Sequence, residues 1–120
     1  MIVIDCEVYK DYFLFAAKSD KSDNVVTVEM FEGKALDDAK IRNVMSRTTC
    51  SFNGFSYDLP IIAAALSGYS CKAIKALSDE IITSNLPSWK IVRERDIQIP
   101  SAWDHIDLIE VAPGKSSLKI

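Results

Sequence analysis

The chain has 120 residues, of which 48% are hydrophobic and 26% charged, and its formal net charge is −3. This length and apolar content predict one globular domain with a real core, while the mild acidity disfavours a protein that coats nucleic acid non-specifically. The sequence has neither a run of about 18 apolar residues nor a basic leader, so it predicts no membrane span and no secretory signal.

The first half of the chain predicts an antiparallel meander of three strands followed by a helix. The apolar run at residues 2–6 predicts a buried strand. Aromatic and β-branched residues predict further strands at 12–17 and 25–31, and the polar stretch 19–24 predicts the turn between them. From 36 to 45 the apolar residues recur with helical spacing, so a helix is expected there.

The middle of the chain predicts a short strand at 48–52 and then a helix at 58–66. We expect Asp58 to cap this helix, because its side chain can accept a hydrogen bond from a free N–H group of the first turn. Pro60 suits the same turn, where a missing N–H costs little, and Gly68 is expected to end the helix.

The last third of the chain predicts a helix at 71–82, with Ile82 among the residues of its apolar face. Residues 84–101 contain two prolines and are expected to wrap the surface with a short strand around Trp89–Val92. A final strand is expected at 103–111. Three strands, a helix, a strand, helices and a strand together predict the mixed α/β class.

The three cysteines predict a reduced protein. Cys6, Cys50 and Cys71 are odd in number and lack the spacings typical of zinc sites or disulfide frameworks, so a cytoplasmic setting is expected. Cys6 and Cys50 lie in apolar, strand-like segments, and we expect both to act as small core residues.

Two carboxylates stand one residue apart at the end of the first predicted strand. Because successive side chains of a strand point to opposite faces, Asp5 and Glu7 share one face about 7 Å apart. Two like charges there repel each other and resist desolvation unless a positive charge lies between them. Hard cations take carboxylate oxygens, so the pair predicts a divalent metal site, with a solvated strand end as the alternative.

A third carboxylate, Asp58, opens the predicted helix that follows the strand at 48–52. The helix dipole and the free N–H groups of the first turn favour an anion at this position and would hold it rigidly. If that strand packs next to the first strand, Asp58 can point back toward Asp5 and Glu7. The three acids would then form one site.

The order of these motifs resembles that of the DEDD 3′–5′ exonucleases. Asp5-x-Glu7 on a first strand, followed by Asn53-x-x-x-Tyr57-Asp58, is similar to the first two motifs of that family. The likeness is greatest to the proofreading domain of family B DNA polymerases and their stand-alone viral relatives. It covers the chain in order and implies a ribonuclease H-like fold, with an antiparallel three-strand meander, parallel strands and flanking helices.

The resemblance implies a two-metal phosphodiesterase. In that family the residues matching Asp5, Glu7 and Asp58 ligate two Mg²⁺ or Mn²⁺ ions, and the one matching Asp5 bridges both. A metal-bound water attacks the terminal phosphodiester while the metals stabilise the attacking and leaving oxygens. The implied substrate is a single-stranded DNA 3′ end, degraded to nucleoside monophosphates during replication or repair.

Other residues gain expected roles from the same resemblance. Asn53 would bond the backbone or a nucleotide nearby, and Phe55 or Tyr57 would stack on the terminal base. The segment around Asp107 also matches the family pattern, and we expect this carboxylate to support the site rather than to bind metal. His105 is expected to be a hydrogen-bonded strand residue, with a contact near the metals as the alternative.

The third motif of the family has no counterpart here. It places Tyr-x-x-x-Asp or His-x-x-x-x-Asp on a C-terminal helix, and the spacing from His105 to Glu110 matches only superficially, because both are expected on a strand. The tail 113–120 resembles a loop that opens such a helix. We therefore expect a domain without its C-terminal helix, with weak or absent hydrolysis, and with a polymerase or the remaining part of the domain as a partner.

Two alternative functions stay open at this point. One is a non-catalytic module of the same fold that binds nucleic acid or a polymerase. The other is an endonuclease or resolvase of the ribonuclease H-like group, in which Asp107 supplies the missing carboxylate.

Overall fold

The structure, a computed structural model, describes residues 1–111 of the chain, and side chains are described through Ile109. A three-strand meander comes first, and most of the helices follow it. The elements, in chain order, are β1 (Ile2–Tyr9), β2 (Tyr12–Ser19), β3 (Val25–Phe31), α1 (Asp38–Met45), β4 (Thr49–Ser51), α2 (Asp58–Leu66), α3 (Cys71–Thr83), α4 (Ser88–Glu94), β5 (His105–Asp107) and α5 (Leu108–Val111). The expected helix opening in the tail 113–120 lies outside the described residues.

The five strands form one mixed sheet in the order β3-β2-β1-β4-β5. β1 pairs antiparallel with β2, and β2 pairs antiparallel with β3. β4 pairs parallel with β1, and β5 pairs parallel with β4. The predicted α/β class, with an antiparallel meander joined to parallel strands, is confirmed at this level.

The first strand is longer than its apolar run suggests. It continues from the predicted end at Cys6 to Tyr9, because β2 pairs with it over its full length. β4 pairs only with Ile2 and Val3 of this strand. Among the described residues, β1 therefore has no strand partner on the β4 side from Ile4 onward, and Asp5 and Glu7 lie on that part.

One face of the meander supplies the core. Ile4 and Cys6 of β1 are buried, and so are Phe13 and Phe15 of the neighbouring strand. Helix α2 packs on this face, and its apolar sequence leaves almost every residue buried. A helix that is apolar on all sides is stable only when other elements surround it, which matches its place between β1 and α3.

Capping residues explain where α1 begins and where α2 ends. Helix α1 begins at Asp38, two residues later than predicted, because the Asp37 side chain accepts a hydrogen bond from the Lys40 N–H at 3.3 Å. Helix α2 ends as predicted, with Gly68 just beyond it at φ +99°, a conformation that glycine adopts without strain.

Three predictions for the last third of the chain are wrong. The segment around Trp89–Val92 is helix α4 rather than a strand, and Pro87 precedes its first residue, where an extended backbone suits proline. The final strand is only His105–Asp107, and Glu110 belongs to helix α5, so it does not share a strand with His105. Ile82 is 67% exposed and lies outside the apolar face of α3.

In the part of the chain described, no helix combines the length and the apolar character that a membrane span needs.

Candidate active site

Asp5 and Glu7 lie on the exposed face of β1, opposite the buried side chains of Ile4 and Cys6. The strand alternation that predicted their shared face therefore holds. Within the described residues, neither carboxylate takes part in a hydrogen bond or an ion pair. Both side chains can change rotamer at little cost, since no partner holds them.

Asp58 is the first residue of α2, and the expectation that it caps this helix is wrong. The cap position belongs to Tyr57, whose side chain makes no capping hydrogen bond. The six residues before the helix, 52–57, form what we call the β4–α2 loop, and its backbone provides the hydrogen bonds instead. The carbonyl groups of Asn53 and Gly54 accept hydrogen bonds from Tyr57 N–H and Leu59 N–H, at 3.1 and 2.9 Å. The Asp58 side chain therefore does not cap α2.

The environment of Asp58 disfavours its charge. The residue is only 5% exposed, and burial, together with the carboxylates of Asp5 and Asp107, raises its pKa from 3.8 to about 7. Hydrogen bonding from the Ser51 hydroxyl and from the backbone of Cys6 acts in the opposite direction. Asp58, although remote in sequence, therefore lies beside β1 and within electrostatic reach of Asp5.

The pKa of the buried Cys6 thiol is also raised by the predicted acids. Burial raises its pKa well above the ordinary value, and the charges of Asp58, Asp5 and Glu7 raise it further, in that order. All three predicted acids thus act on one buried sulfur atom. The three carboxylates thus lie within electrostatic range of Cys6, in the part of β1 that is not paired with β4.

The three acids lie within electrostatic range of Cys6, but they do not form a ready ligand set. Among residues 1–109, no three His, Cys, Asp or Glu side chains are arranged so that they could hold a metal ion together. Asp58 is buried while Asp5 and Glu7 point to the exposed face. A cation that used all three would require rotation of the two exposed side chains toward Asp58.

The Asp107 carboxylate accepts hydrogen bonds from backbone N–H groups. Its Oδ1 accepts hydrogen bonds from Asn53 N–H at 2.8 Å and from Ile109 N–H at 3.1 Å, and its Oδ2 accepts one from Phe55 N–H at 3.1 Å. The side chain is only 3% exposed. Both oxygens are therefore engaged, which gives the alternative that needs Asp107 as a metal ligand no support.

His105 is held between two hydroxyl groups of β4. Its Nδ1 lies 2.7 Å from Thr49 Oγ1, and its Nε2 lies 2.9 Å from Ser51 Oγ. Burial lowers the pKa of this imidazole, so the ring is held neutral near neutral pH. Gly54 packs directly on the pair, and a Cβ at this position would collide with Ser51 Oγ and His105 Nε2.

The aromatic residues of the β4–α2 loop differ in access. Phe55 is 49% exposed and its ring meets the His105 ring edge to face, with centroids 5.5 Å apart. The Tyr57 hydroxyl is hydrogen-bonded to Ser78 Oγ of α3 at 2.7 Å, which ties that ring to the helix. Asn53 is exposed and adopts a left-handed backbone with φ 62°. Phe55 is therefore the better placed of the two rings for stacking.

Sequence reasoning missed three residues of this site. Phe52 is 49% exposed at the start of the same loop, and the Ser51 hydroxyl and the Cys6 thiol both lie next to Asp58. Phe52 was available as an aromatic residue two positions before Gly54. The roles of Ser51 and Cys6 had no sequence signal, because they depend on contacts between elements distant along the chain.

No family model, curated protein or solved structure matches the chain. The chemistry of the site is therefore inferred from its own residues and their contacts.

Proposed function

We propose that this chain is a metal-dependent 3′–5′ exonuclease domain of the DEDD type, with a ribonuclease H-like fold, that acts on single-stranded DNA ends. The mixed sheet agrees with the fold that the motif resemblance implies. The observation that carries the proposal is the approach of Asp58 to β1, where Asp5 raises its pKa. Acids from distant parts of the sequence are seldom gathered at a strand edge without a cationic ligand.

The donor set suits a hard cation in its chemistry. Asp5, Glu7 and Asp58 offer carboxylate oxygens, which Mg²⁺ and Mn²⁺ prefer. A bound cation would relieve the repulsion that now favours the protonated form of Asp58. When bound, such ions activate water and stabilise the oxygens of a phosphoryl group under attack.

The residues around the acids supply positioning for a nucleic-acid end. Phe52 and Phe55 are exposed on the loop that leads into Asp58, and exposed aromatic rings bind unpaired bases by stacking. The Asn53 side chain lies on the surface of the same loop. The proposed substrate is therefore a single strand with an unstacked terminal base.

A second candidate is a non-catalytic module that binds nucleic acid or a polymerase. It is favoured by the burial of Asp58 and by its pKa of about 7. Near neutral pH a large share of the molecules then holds this carboxyl group protonated, and a protonated carboxyl is a poor ligand for a cation.

Calorimetric titration with Mn²⁺ tests the proposed metal site. We expect the wild type to bind Mn²⁺, and Asp5→Asn to weaken binding by at least about tenfold, since a ligand is lost while the shape is kept. Asp23→Asn is the matched control, because Asp23 is exposed in the β2–β3 turn. Equal affinity of Asp5→Asn and wild type would remove Asp5 from the site.

Digestion of a single-stranded DNA oligonucleotide, labelled at its 5′ end, separates the candidate functions. Stepwise shortening from the 3′ end with Mn²⁺, lost in Asp5→Asn, supports the exonuclease. Oligonucleotide binding without shortening and without Mn²⁺ heat supports the binding module. Internal cuts would instead point to an endonuclease.

A further inference from the structure

The carboxylate of Asp107 anchors the backbone of the β4–α2 loop. This carboxylate accepts hydrogen bonds from the N–H groups of Asn53 and Phe55 on the two sides of Gly54, and from the N–H group of Ile109 in α5. A buried carboxylate without a cationic partner is costly unless backbone donors surround it. The three donors meet this need, and they fix the loop to the end of β5.

A second layer of backbone hydrogen bonds carries this anchor to Asp58. The Asn53 carbonyl accepts a hydrogen bond from Tyr57 N–H at 3.1 Å, and the Gly54 carbonyl accepts one from Leu59 N–H at 2.9 Å. Tyr57 and Leu59 are the two chain neighbours of Asp58. Tyr57 is thus bonded to Asn53, which Asp107 holds directly, and Leu59 is bonded to the Gly54 carbonyl, which shares a peptide group with the Phe55 N–H that Asp107 also holds.

Tight packing under the loop leaves it little room to move. Gly54 lies directly on Ser51 and His105, where even a methyl group would not fit. The Phe55 ring also meets the His105 ring edge to face. A change at the Asp107 end should thus shift the loop as a unit, since its middle cannot yield locally.

We propose that Asp107 is a positioning residue that determines where the Asp58 carboxylate lies beside β1. The importance of this position for metal binding rests on the proposed function. The hydrogen-bonded path from Asp107 to both flanks of Asp58 does not depend on the proposed function. Asp107 touches neither substrate nor metal in this role, because both its oxygens are engaged by backbone N–H groups.

Asp107→Asn is the direct test, since the amide keeps the shape but offers one acceptor oxygen instead of two. Its NH₂ group must face at least one of the three N–H donors. Asp104→Asn is the matched control, because Asp104 is exposed on the adjoining segment and its Oδ2 accepts a hydrogen bond from the Thr48 hydroxyl, at 2.6 Å, rather than from the loop. Thermal melting first establishes that both variants are folded.

Amide hydrogen exchange provides the readout that needs no metal. We expect exchange at Tyr57 and Leu59 to become at least about tenfold faster in Asp107→Asn than in Asp104→Asn, because the carbonyls that hold these N–H groups lose their anchor. Unchanged exchange at both amides in a folded Asp107→Asn variant would overturn the proposal.

Mn²⁺ titration provides the functional readout. Asp107→Asn should weaken Mn²⁺ binding by about 10- to 100-fold, the range typical of residues that orient a metal ligand. In an Asp58→Asn background the same substitution should cause no further loss, since its effect passes through Asp58. An equal loss in both backgrounds would mean a merely structural role and would contradict the proposal.

The two readouts keep the two proposals apart. If the wild type binds no Mn²⁺, the proposed metal function fails, and the exchange rates at Tyr57 and Leu59 still decide whether Asp107 positions the loop. If Mn²⁺ binds to the wild type but Asp107→Asn alters neither affinity nor exchange, only the positioning role fails.

Discussion

The surroundings of Asp58 and its proposed role as a metal ligand favour opposite protonation states. Its burial and its acidic neighbours favour the protonated form, whereas binding of a cation requires the ionised form. Without a bound cation the repulsion favours the protonated form of Asp58, and a cation bound as we propose would displace that proton. Metal binding and proton release should therefore be coupled at this residue.

The raised pKa of Asp58 predicts that stability depends on pH in the absence of metal. Between about pH 4 and the folded pKa of about 7, the folded state holds a proton that the unfolded state has lost. The free energy of unfolding therefore falls as the pH rises through this interval, and the penalty is complete above it. Asp58→Asn should remove this fall and stabilise the protein at pH 8 by up to about 4 kcal/mol.

Urea denaturation in EDTA at pH 5 and pH 8 measures this effect as the difference between wild type and Asp58→Asn. The comparison cancels other titrating groups, including His105, whose lowered pKa acts in the opposite direction. Asp23→Asn serves as the control for the loss of one surface charge. A difference that is the same at both pH values would show that Asp58 titrates normally.

Gly54→Ala tests the packing under the β4–α2 loop. The added Cβ would meet Ser51 Oγ and His105 Nε2, so we expect the free energy of unfolding to fall by about 1–3 kcal/mol. Ser56→Ala, an exposed position in the same loop, should change it by less than about 0.5 kcal/mol. Thermal or urea unfolding of the two variants gives the comparison.

A double variant identifies the cause of that loss. Ser51→Ala removes one of the two atoms that the new methyl group meets, so Gly54→Ala should cost less in the Ser51→Ala background than in wild type. The same cost in both backgrounds would mean that the contact with His105 Nε2, rather than the contact with Ser51 Oγ, limits this position.

At the scale of elements, the meander and α2 could be predicted because burial requires a regular spacing of apolar residues. Buried residues recur at every second position in the middle of β1 and β2, and α2 carries a turn-like start and a glycine at its end. Helix α4 escaped prediction because only Ile91 and Val92 of its seven residues are buried. Two adjacent apolar residues indicate neither a strand nor a helix.

The hydrogen bond between Tyr57 and Ser78 joins the start of α2 to α3. Ser78 is buried, so Tyr57→Phe and Ser78→Ala should each lower the free energy of unfolding by about 1 kcal/mol. The double variant should lose less than the sum, because the second substitution removes a bond already broken. Strict additivity in urea unfolding would show that the two hydroxyl groups contribute independently.

At the scale of the whole molecule, strand alternation predicted that Asp5 and Glu7 share a face, whereas the surroundings of Asp58 depend on the tertiary fold. Alternation is a property of one strand, so the sequence alone shows that the first two acids share a face. The burial of Asp58 and the engagement of Asp107 arise where β1, α2 and β5 meet. Contacts between such distant segments leave no periodic trace in the sequence.

The two faces of the meander differ in cover. Val28 on the helix side is buried, while Val3 on the other face is 50% exposed. Val3 and Val25 border a shallow apolar cavity of about 340 Å³ on that second face, next to Asp5. The face that bears the candidate acids thus also presents apolar surface, in the part of the chain that the structure describes.

Matched valine substitutions test whether only one face of the meander is buried. Val28→Ala should lower the free energy of unfolding by about 2 kcal/mol, because two buried methyl groups are lost and a cavity remains. Val3→Ala makes the same chemical change on the exposed face and should cost less than about 0.5 kcal/mol. Urea unfolding of both variants measures the difference. Equal losses would mean that the Val3 face is covered in solution, in which case the acids of β1 would also be less accessible to a nucleic-acid end than we propose.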